Sequence, residues 1–406
     1  MRASGRLVAV LAFMPRVLMA QGNPLGPEFR VNTYTTNDQV QPSIAADSAG
    51  NFVVVWQGLY QYNQINVFGQ RYDSSGAPLG SEFRVNTAGL GGNSAPSVGA
   101  DPGGNFVVIW EWQPLEAAGL LAQLFASSGA PIGGPFAVGS TSYSFAPDVA
   151  GGSSSNFVVV WHSSIFGGME YNVFAQRSLG PAFRVNTYTT GDQTAASVAA
   201  DPSGNFVVVW SSSGQDGSDL GIFGQRYDSS GAPLGSEFRV NTYTTNSQGH
   251  PSVTADPSGN FVVVWESAFQ DGFNAGVFGQ RFASSGVPLG PEFRVNTLTT
   301  GDQSSASIAA DASGNFVVVW GGTLQDGGGG GVFGQRFDSS GEPVGSEFRV
   351  NTYTTNDQAD PAVAADPLGS FVVVWESNLQ DGSGDGVFGQ RWRPMVPVEL
   401  MDLRLE

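Results

Sequence analysis

The stretch Phe183-Arg184-Val185-Asn186-Thr187, followed by Ser197-Val198-Ala199-Ala200-Asp201, Phe206-Val207-Val208-Val209-Trp210 and Ile222-Phe223-Gly224-Gln225-Arg226, decides the fold. Its first segment recurs from Phe29, Phe83, Phe238, Phe293 and Phe348, with a degenerate copy, Phe136-Ala137-Val138-Gly139-Ser140. The successive steps are 54, 53, 47, 55, 55 and 55 residues. Each unit supplies four strand-like segments, and a repeat this long favours propeller blades over a solenoid, whose repeats are typically shorter. The turns are explicit. Asp201-Pro202-Ser203-Gly204-Asn205 and Asp228-Ser229-Ser230-Gly231 put Pro or Ser where φ is negative and Gly where it must be positive, as hairpins require. The Val-Val-Val-Trp strand is apolar on both faces, which suits a sheet sandwiched between two others, whereas Phe-Arg-Val-Asn-Thr alternates and fits an outer edge. Small alanines suit a crowded axis. The expected fold is all-β, a seven-bladed β-propeller of four-stranded antiparallel blades.

Composition agrees and excludes several functions. Of 406 residues 56 are glycine, aromatics reach 12% and charged residues only 13%, which suits short strands and tight turns. The net charge is −18, and all 17 basic residues are arginine. Nucleic acid binding needs a cationic surface and is excluded as an expectation. Zero cysteines leave no disulfide framework and no thiolate metal site. Arg2 and Arg6 precede the apolar run Leu7 to Met14, the layout of a secretory signal ending near Ala20. Elsewhere no run approaches the roughly 18 apolar residues of a membrane span. The expected organisation is a signal peptide at 1–20, a propeller at 21–392 and a C-terminal tail at 393–406, in a secreted monomer.

The recurring Asp-x-x-Gly-Asn turn after an Ala-rich strand, at Asp47, Asp101, Asp201, Asp256, Asp311 and, with Ser370 for Asn, Asp366, resembles the blades of the NHL-like and bacterial β-propeller repeat families. The resemblance covers about Phe29 to Trp392 and implies binding or scaffolding only by analogy. It assigns the Ser-Val-Ala-Ala-Asp type as innermost strand A, Phe-Val-Val-Val-Trp as B, Val-Phe-Gly-Gln-Arg as C and Phe-Arg-Val-Asn-Thr as outermost D. The chain then opens on a D strand, and its last repeat ends after strand C at Arg391. Phe29 to Thr33 is therefore expected to pair with Val387 to Arg391 and close the ring. Val396 to Leu405, behind Pro394 and Pro397, is expected outside it.

In this assignment the D-to-A and B-to-C loops share one face, and functional residues concentrate on longer loops. Carboxylate and backbone oxygens on loops suit calcium, the one cofactor the sequence suggests, with Asp192 and Asp216, Asp302 and Asp326, and Asp357 and Asp381 as candidate pairs. Asp381-Gly382-Ser383-Gly384-Asp385-Gly386 matches the first half of a calcium loop, and its twelfth position is Trp392 instead of Glu. The plainer reading is that these side chains hydrogen-bond loop backbone. Blades 1 to 3 replace the Gln-Asp-Gly of the other loops with Tyr60, Tyr62, Trp112, Phe166 and Tyr171, candidate ligand-binding aromatics that stack on sugar rings or anchor a protein, or else pack under their loops. Arginines such as Arg226 and Arg239 imitate a sialidase-like carboxylate-binding cluster, but one per blade on outer strands near Glu237 and Asp228 reads as a cross-strand ion ladder. His162 and His250 stand in no metal-ligand or nucleophile spacing. No catalytic residue is assigned, although an acid and base pair contributed by different blades would leave no sequence spacing.

These features favour a non-enzymatic extracellular scaffold whose loop face binds a glycan, a surface component or a protein, because near-identical repeats five to seven look duplicated and untuned. The alternative is an extracellular carbohydrate-active enzyme, a hydrolase or lyase, with a carboxylate pair on that face. A central funnel holding two buried carboxylates of raised pKa would mark that alternative; a flat, solvated acidic face would oppose it. A purely structural surface protein is a third reading.

Overall fold

The computed structural model describes residues 24–60, 64–86, 92–113, 119–139, 144–153, 156–164, 170–178 and 180–394. Seven four-stranded antiparallel sheets stand around one axis. Blade 4 is typical: strand A is Gln193–Ala200, B is Phe206–Ser213, C is Leu220–Tyr227 and D is Phe238–Arg239. The expected seven-bladed propeller is therefore what the chain forms. No helix of the described residues is long and apolar enough to cross a membrane. The signal-peptide segment, Tyr62, Phe166 and Val396 to Leu405 lie outside the described residues.

Strand B of blade 4 shows why this repeat is apolar on both faces. Phe206, Val208 and Trp210 pack with Val158 and Val160 of blade 3, whereas Val207 and Val209 pack with Val263 and Trp265 of blade 5. The core is thus seven layers between blades. Each contains a tryptophan, from Trp56 to Trp375, that is no more than 1% exposed. Burying one such aliphatic or aromatic side chain stabilises by about 1.5–3 kcal/mol, so the layers dominate the fold's stability.

The D strand is held differently, since in every blade but the second only two of its residues enter the ladder. Its Asn finishes the pairing: the N–H groups of Val67, Val173, Ile222, Val277 and Val332 donate to the side-chain oxygens of Asn86, Asn186, Asn241, Asn296 and Asn351 at 2.7–2.9 Å. The D-strand Phe lies on strand C, where a Cβ on Gly224 would meet the ring of Phe238 at 2.8 Å. Blades 2 and 3 accept Ala122 and Ala175 at that register.

The arginines correct one expectation. Those of strand C make no ion ladder. Arg71 donates to the carbonyls of Ser127 and Ser128, at 2.6 and 2.5 Å, and Arg226 to that of Ser284 at 2.5 Å. Each reaches the C-to-D turn of the next blade. A guanidinium offers several donors in a fixed fork, which suits neighbouring carbonyls.

The ring closes as the repeat order requires. Phe29 and Arg30 pair with Gly389 and Phe388, Val31 N–H donates to Val387 at 2.8 Å, and Val387 N–H donates to Asn32 at 2.8 Å. Glu28 accepts from the N–H and hydroxyl of Thr352 at 2.8 and 2.9 Å, the clamp that Glu237 makes with Thr187 elsewhere. Closure thus repeats the ordinary joint between blades. Replacing buried Asn32 by Ala strands one buried N–H, so Asn32→Ala and Asn241→Ala should each cost about 1–3 kcal/mol in urea melts. A far smaller loss for Asn32→Ala would contradict closure through this strand.

Candidate active site at the mouth of the channel

The site begins with a packing conflict repeated seven times. In blade 4 Thr194 pairs with Ser211 and Ser197 with Val209, so Ala195 and Ala196 together face Trp210. Every strand A carries this bulge opposite its tryptophan. The first bulged residue adopts positive φ without being glycine: Gln41, Ala95, Ala146, Ala195, His250, Ser305 and Asp360, with φ between 47° and 54°. A non-glycine residue there is strained, and such strain clusters at functional sites. Because strand A is innermost, the seven bulges encircle the channel on the D-to-A and B-to-C face. Blades 2 to 4 contribute alanine; blades 5, 6, 7 and 1 contribute His, Ser, Asp and Gln.

In blades 1, 2, 5 and 7 the residue after the tryptophan completes the mouth, since it reaches the bulge of the next blade. Gln41 N–H donates to Glu376 at 2.6 Å, Ser305 N–H to Glu266 at 2.6 Å and Ala146 N–H to Glu111 at 2.8 Å. His250 Nδ1 lies 3.2 Å from Glu266, and the Ser305 hydroxyl donates to Asp360 at 2.7 Å. His250, Glu266, Ser305, Asp360, Glu376 and Gln41 thus form one polar arc across four blades.

Electrostatics single out Glu376. Burial pushes its carboxyl up to about 7, with the neighbouring Asp360, Asp385 and Asp38 adding to the rise against the opposing bond from Gln41. Its Oε1 holds the Gln41 N–H, which leaves Oε2 to carry a proton near neutral pH. The His250 imidazole is raised, chiefly by its hydrogen bond to Glu266, while burial opposes. Deeper in the channel Asp148 accepts from Ser97, Ser197, Val149 and Val198 at 2.8–3.1 Å, and burial pushes its carboxyl above the usual range against the opposing pull of those four bonds. With all four bonds internal, Asp148 ties blades 2, 3 and 4 together. At the opposite mouth a cavity of about 470 Å³ is lined by strand-A alanines and turn aspartates. Those aspartates are spent on their own turns, as when Asp201 accepts from Ser203 and Asn205 at 2.8–3.0 Å.

The residues singled out by sequence fall elsewhere. Tyr60 ends strand B of blade 1 opposite Gln64, and its side chain is outside the description. Trp112 is half-buried beside Gly119. Tyr171 packs edge-on against His162 with centroids 5.2 Å apart, and burial pushes that imidazole down to about 4. The D-to-A aspartates turn to the preceding blade: Asp192 accepts from Tyr171 N–H at 3.0 Å, Asp302 from Ala275 at 3.3 Å and Asp357 from Gly330 at 2.8 Å. Asp216 and Asp381 accept from the D-strand Asn241 and Asn32 of their own blades at 3.5 and 3.1 Å, and Asp326 accepts from Gly328 at 3.1 Å. No group of three His, Asp or Glu side chains among the described residues is arranged to hold a metal ion. The arc itself was missed because blades 5 to 7 read as copies. Aligning them shows the signal, since His250, Ser305 and Asp360 differ at one position, and so do Glu266, Gly321 and Glu376.

Fold and mouth together define a seven-bladed propeller with an acidic, one-sided channel mouth. No protein-family model matches the chain, and no curated protein is similar to it in sequence. Among solved structures, a protein of unknown function from Dyadobacter fermentans is similar over 92% of this chain and 98% of its own, at 10% identity and a TM-score of 0.55. The NanB sialidase of Streptococcus pneumoniae, solved in complex with 2-[(3-chlorobenzyl)ammonio]ethanesulfonate, gives 0.46 over 87% and 67% at 10% identity. The α-L-arabinanase of Penicillium chrysogenum, solved with arabinobiose, gives 0.47 over 90% and 98% at 13% identity. At such identities likeness speaks for the fold alone. The expectation of a non-enzymatic scaffold is nevertheless corrected. Burial raises the carboxyls of Glu376 and Asp148 on the inner strands, where a scaffold predicts a flat, solvated acidic face.

Glu376 also yields a stability prediction. The unfolded chain loses this proton near pH 4.5 and the folded chain near 7, so folding retains a proton and stability falls as pH rises through that window. Glu376→Gln removes the penalty. Its melting free energy should match the parent below pH 4 and exceed it at pH 8 by roughly 1–2 kcal/mol, after allowance for partial solvent screening. Equal pH dependence in both proteins would refute the raised carboxyl.

Proposed function

We propose that the chain is a carbohydrate-active hydrolase that cleaves glycosidic bonds at the polar arc. The observation that carries this reading is Glu376, a carboxyl raised to about 7 beside the carboxylate of Asp360. Glycoside hydrolysis uses such a pair, one group held protonated and one ionised. Glu376 Oε2 gives its proton to the glycosidic oxygen as the bond to the anomeric carbon breaks. Asp360 faces the sugar from the neighbouring strand of the same blade and takes a proton from the water whose oxygen joins that carbon. Proton exchange with solvent then restores both groups. Ser305 and the bulge N–H groups fix the carboxylates, and His250 with Glu266 borders the sugar site.

Hydrolysis is favoured over lyase chemistry by the arginines. All described arginines sit on outer strands C and D or at Arg393, so none lines the inner funnel to neutralise a uronate. Export, proposed from Arg2, Arg6 and the apolar run that follows, would place the enzyme with extracellular polysaccharide.

The test is release of reducing ends from arabinan, xylan, galactan, mannan and glucan. The parent should act on at least one, with a basic limb near pH 7 in its rate profile. Glu376→Gln and Asp360→Asn should each lower kcat by about 100-fold or more while the fold persists. Full activity in Glu376→Gln would overturn the assignment.

A further inference from the structure

The B-to-C loops of blades 4, 5 and 7 share one backbone turn. Gly214 N–H donates to Asp219 at 2.7 Å, Phe269 to Asn274 at 2.6 Å and Leu379 to Gly384 at 2.7 Å. Each turn is closed by a second bond, from Gly217, Gly272 and Gly382 back to the first residue at 3.1–3.3 Å. That first residue has positive φ in blades 4 to 7: 72° at Gly214, 61° at Phe269, 63° at Leu324 and 59° at Leu379. Glycine is the residue this conformation favours, and blade 4 uses it.

Blades 5 to 7 instead place a large apolar side chain there, about half or more of it left in water. Phe269, Leu324 and Leu379 are 56%, 78% and 49% exposed. A Cβ added at Gly214 would have no atom within 4 Å. Backbone strain and an apolar group in water both act against the folded state, so neither packing nor turn geometry accounts for these residues.

Their position does. Phe269 and Leu379 stand three residues beyond Glu266 and Glu376, directly after strands Phe261–Ala268 and Phe371–Asn378 end, at most about 10 Å further out by the rise of a β-strand. Leu324 lies between them on blade 6, where Gly321 replaces the glutamate and leaves a gap between the two acidic neighbours. We propose that Phe269, Leu324 and Leu379 form an apolar lip that holds an uncharged glycan chain, through the C–H faces of its sugar rings, across the carboxylate arc. The inference rests on the hydrolase reading for its ligand class. Charge selects within that class. Asp360, Glu266 and Glu376 line the mouth while the described arginines stand on the outer strands, so polyanionic glycans are repelled.

The test is binding in a Glu376→Gln background, which separates affinity from cleavage. The probes are arabinan, xylan, mannan, galactan and hydroxyethyl cellulose, with carboxymethyl cellulose and polygalacturonan as anionic counterparts. At least one neutral polymer should bind, and both anionic ones at least 10-fold more weakly. Adding Phe269→Gly, Leu324→Gly and Leu379→Gly should weaken neutral binding by 10-fold or more while the melting temperature stays equal or rises. Unchanged affinity, a lower melting temperature, preferred binding of an anionic polymer, or no neutral binding would overturn the lip. If the lip variants lose the glycan yet the parent cleaves none, the lip stands and the hydrolase reading fails. If the parent cleaves and the lip variants bind normally, the reverse holds. A parent that dimerises until the lip is removed would assign these side chains to a second copy and overturn the glycan.

Discussion

Everything at the mouth follows from one steric constraint: a tryptophan on strand B that needs two residues of strand A opposite it. The indole is wholly buried between blades, so it cannot yield, and the neighbouring strand bulges instead. The bulge turns one residue per blade into a strained backbone and leaves its N–H pointing at the preceding blade. Glutamates after the tryptophans take up those donors. The same rigid feature that stabilises each layer therefore fixes the carboxylates, and a functional arc costs the scaffold only a side-chain change.

That economy explains why identical-looking repeats carry different chemistry. The layers between blades, the D-strand Asn and the Glu–Thr clamps depend on positions that every regular repeat keeps. The first bulged residue and the residue after tryptophan stand outside the core layers, so they vary freely, whereas second bulged residues such as Ala196 and Ala306 pack in them. Duplication supplies a frame, and the free positions then diverge.

The fold was legible because its determinants are local and periodic. Phe183 to Thr187, the Asp-Pro-Ser-Gly turns and the doubly apolar Phe206 to Trp210 each state a strand or turn, and the repeat order even predicted the pairing of Phe29 with the last blade. The site was less legible. Glu376 and Asp360 are 16 residues apart in sequence, and Glu376 meets Gln41 only through ring closure. The recurring Gln-Asp-Gly loops drew attention by their regularity, yet their regularity reflects bonds such as Asp381 to Asn32. The strand-C arginines misled for a related reason: sequence shows their charge and hides the backbone carbonyls that receive them.

The joint between the first strand and the last blade has a further meaning for the order of events during synthesis. Blade 7 carries Glu376 and is completed by Phe29 and Arg30, while the N–H that steadies this carboxyl comes from blade 1. A chain that has folded six blades owns five of the seven layers, and its acidic group is still in water with an ordinary affinity for protons. The group acquires its raised proton affinity at the moment the circle shuts. Assembly of the proposed reactive centre and completion of the fold are then a single event, and an unfinished or opened ring lacks its raised carboxyl.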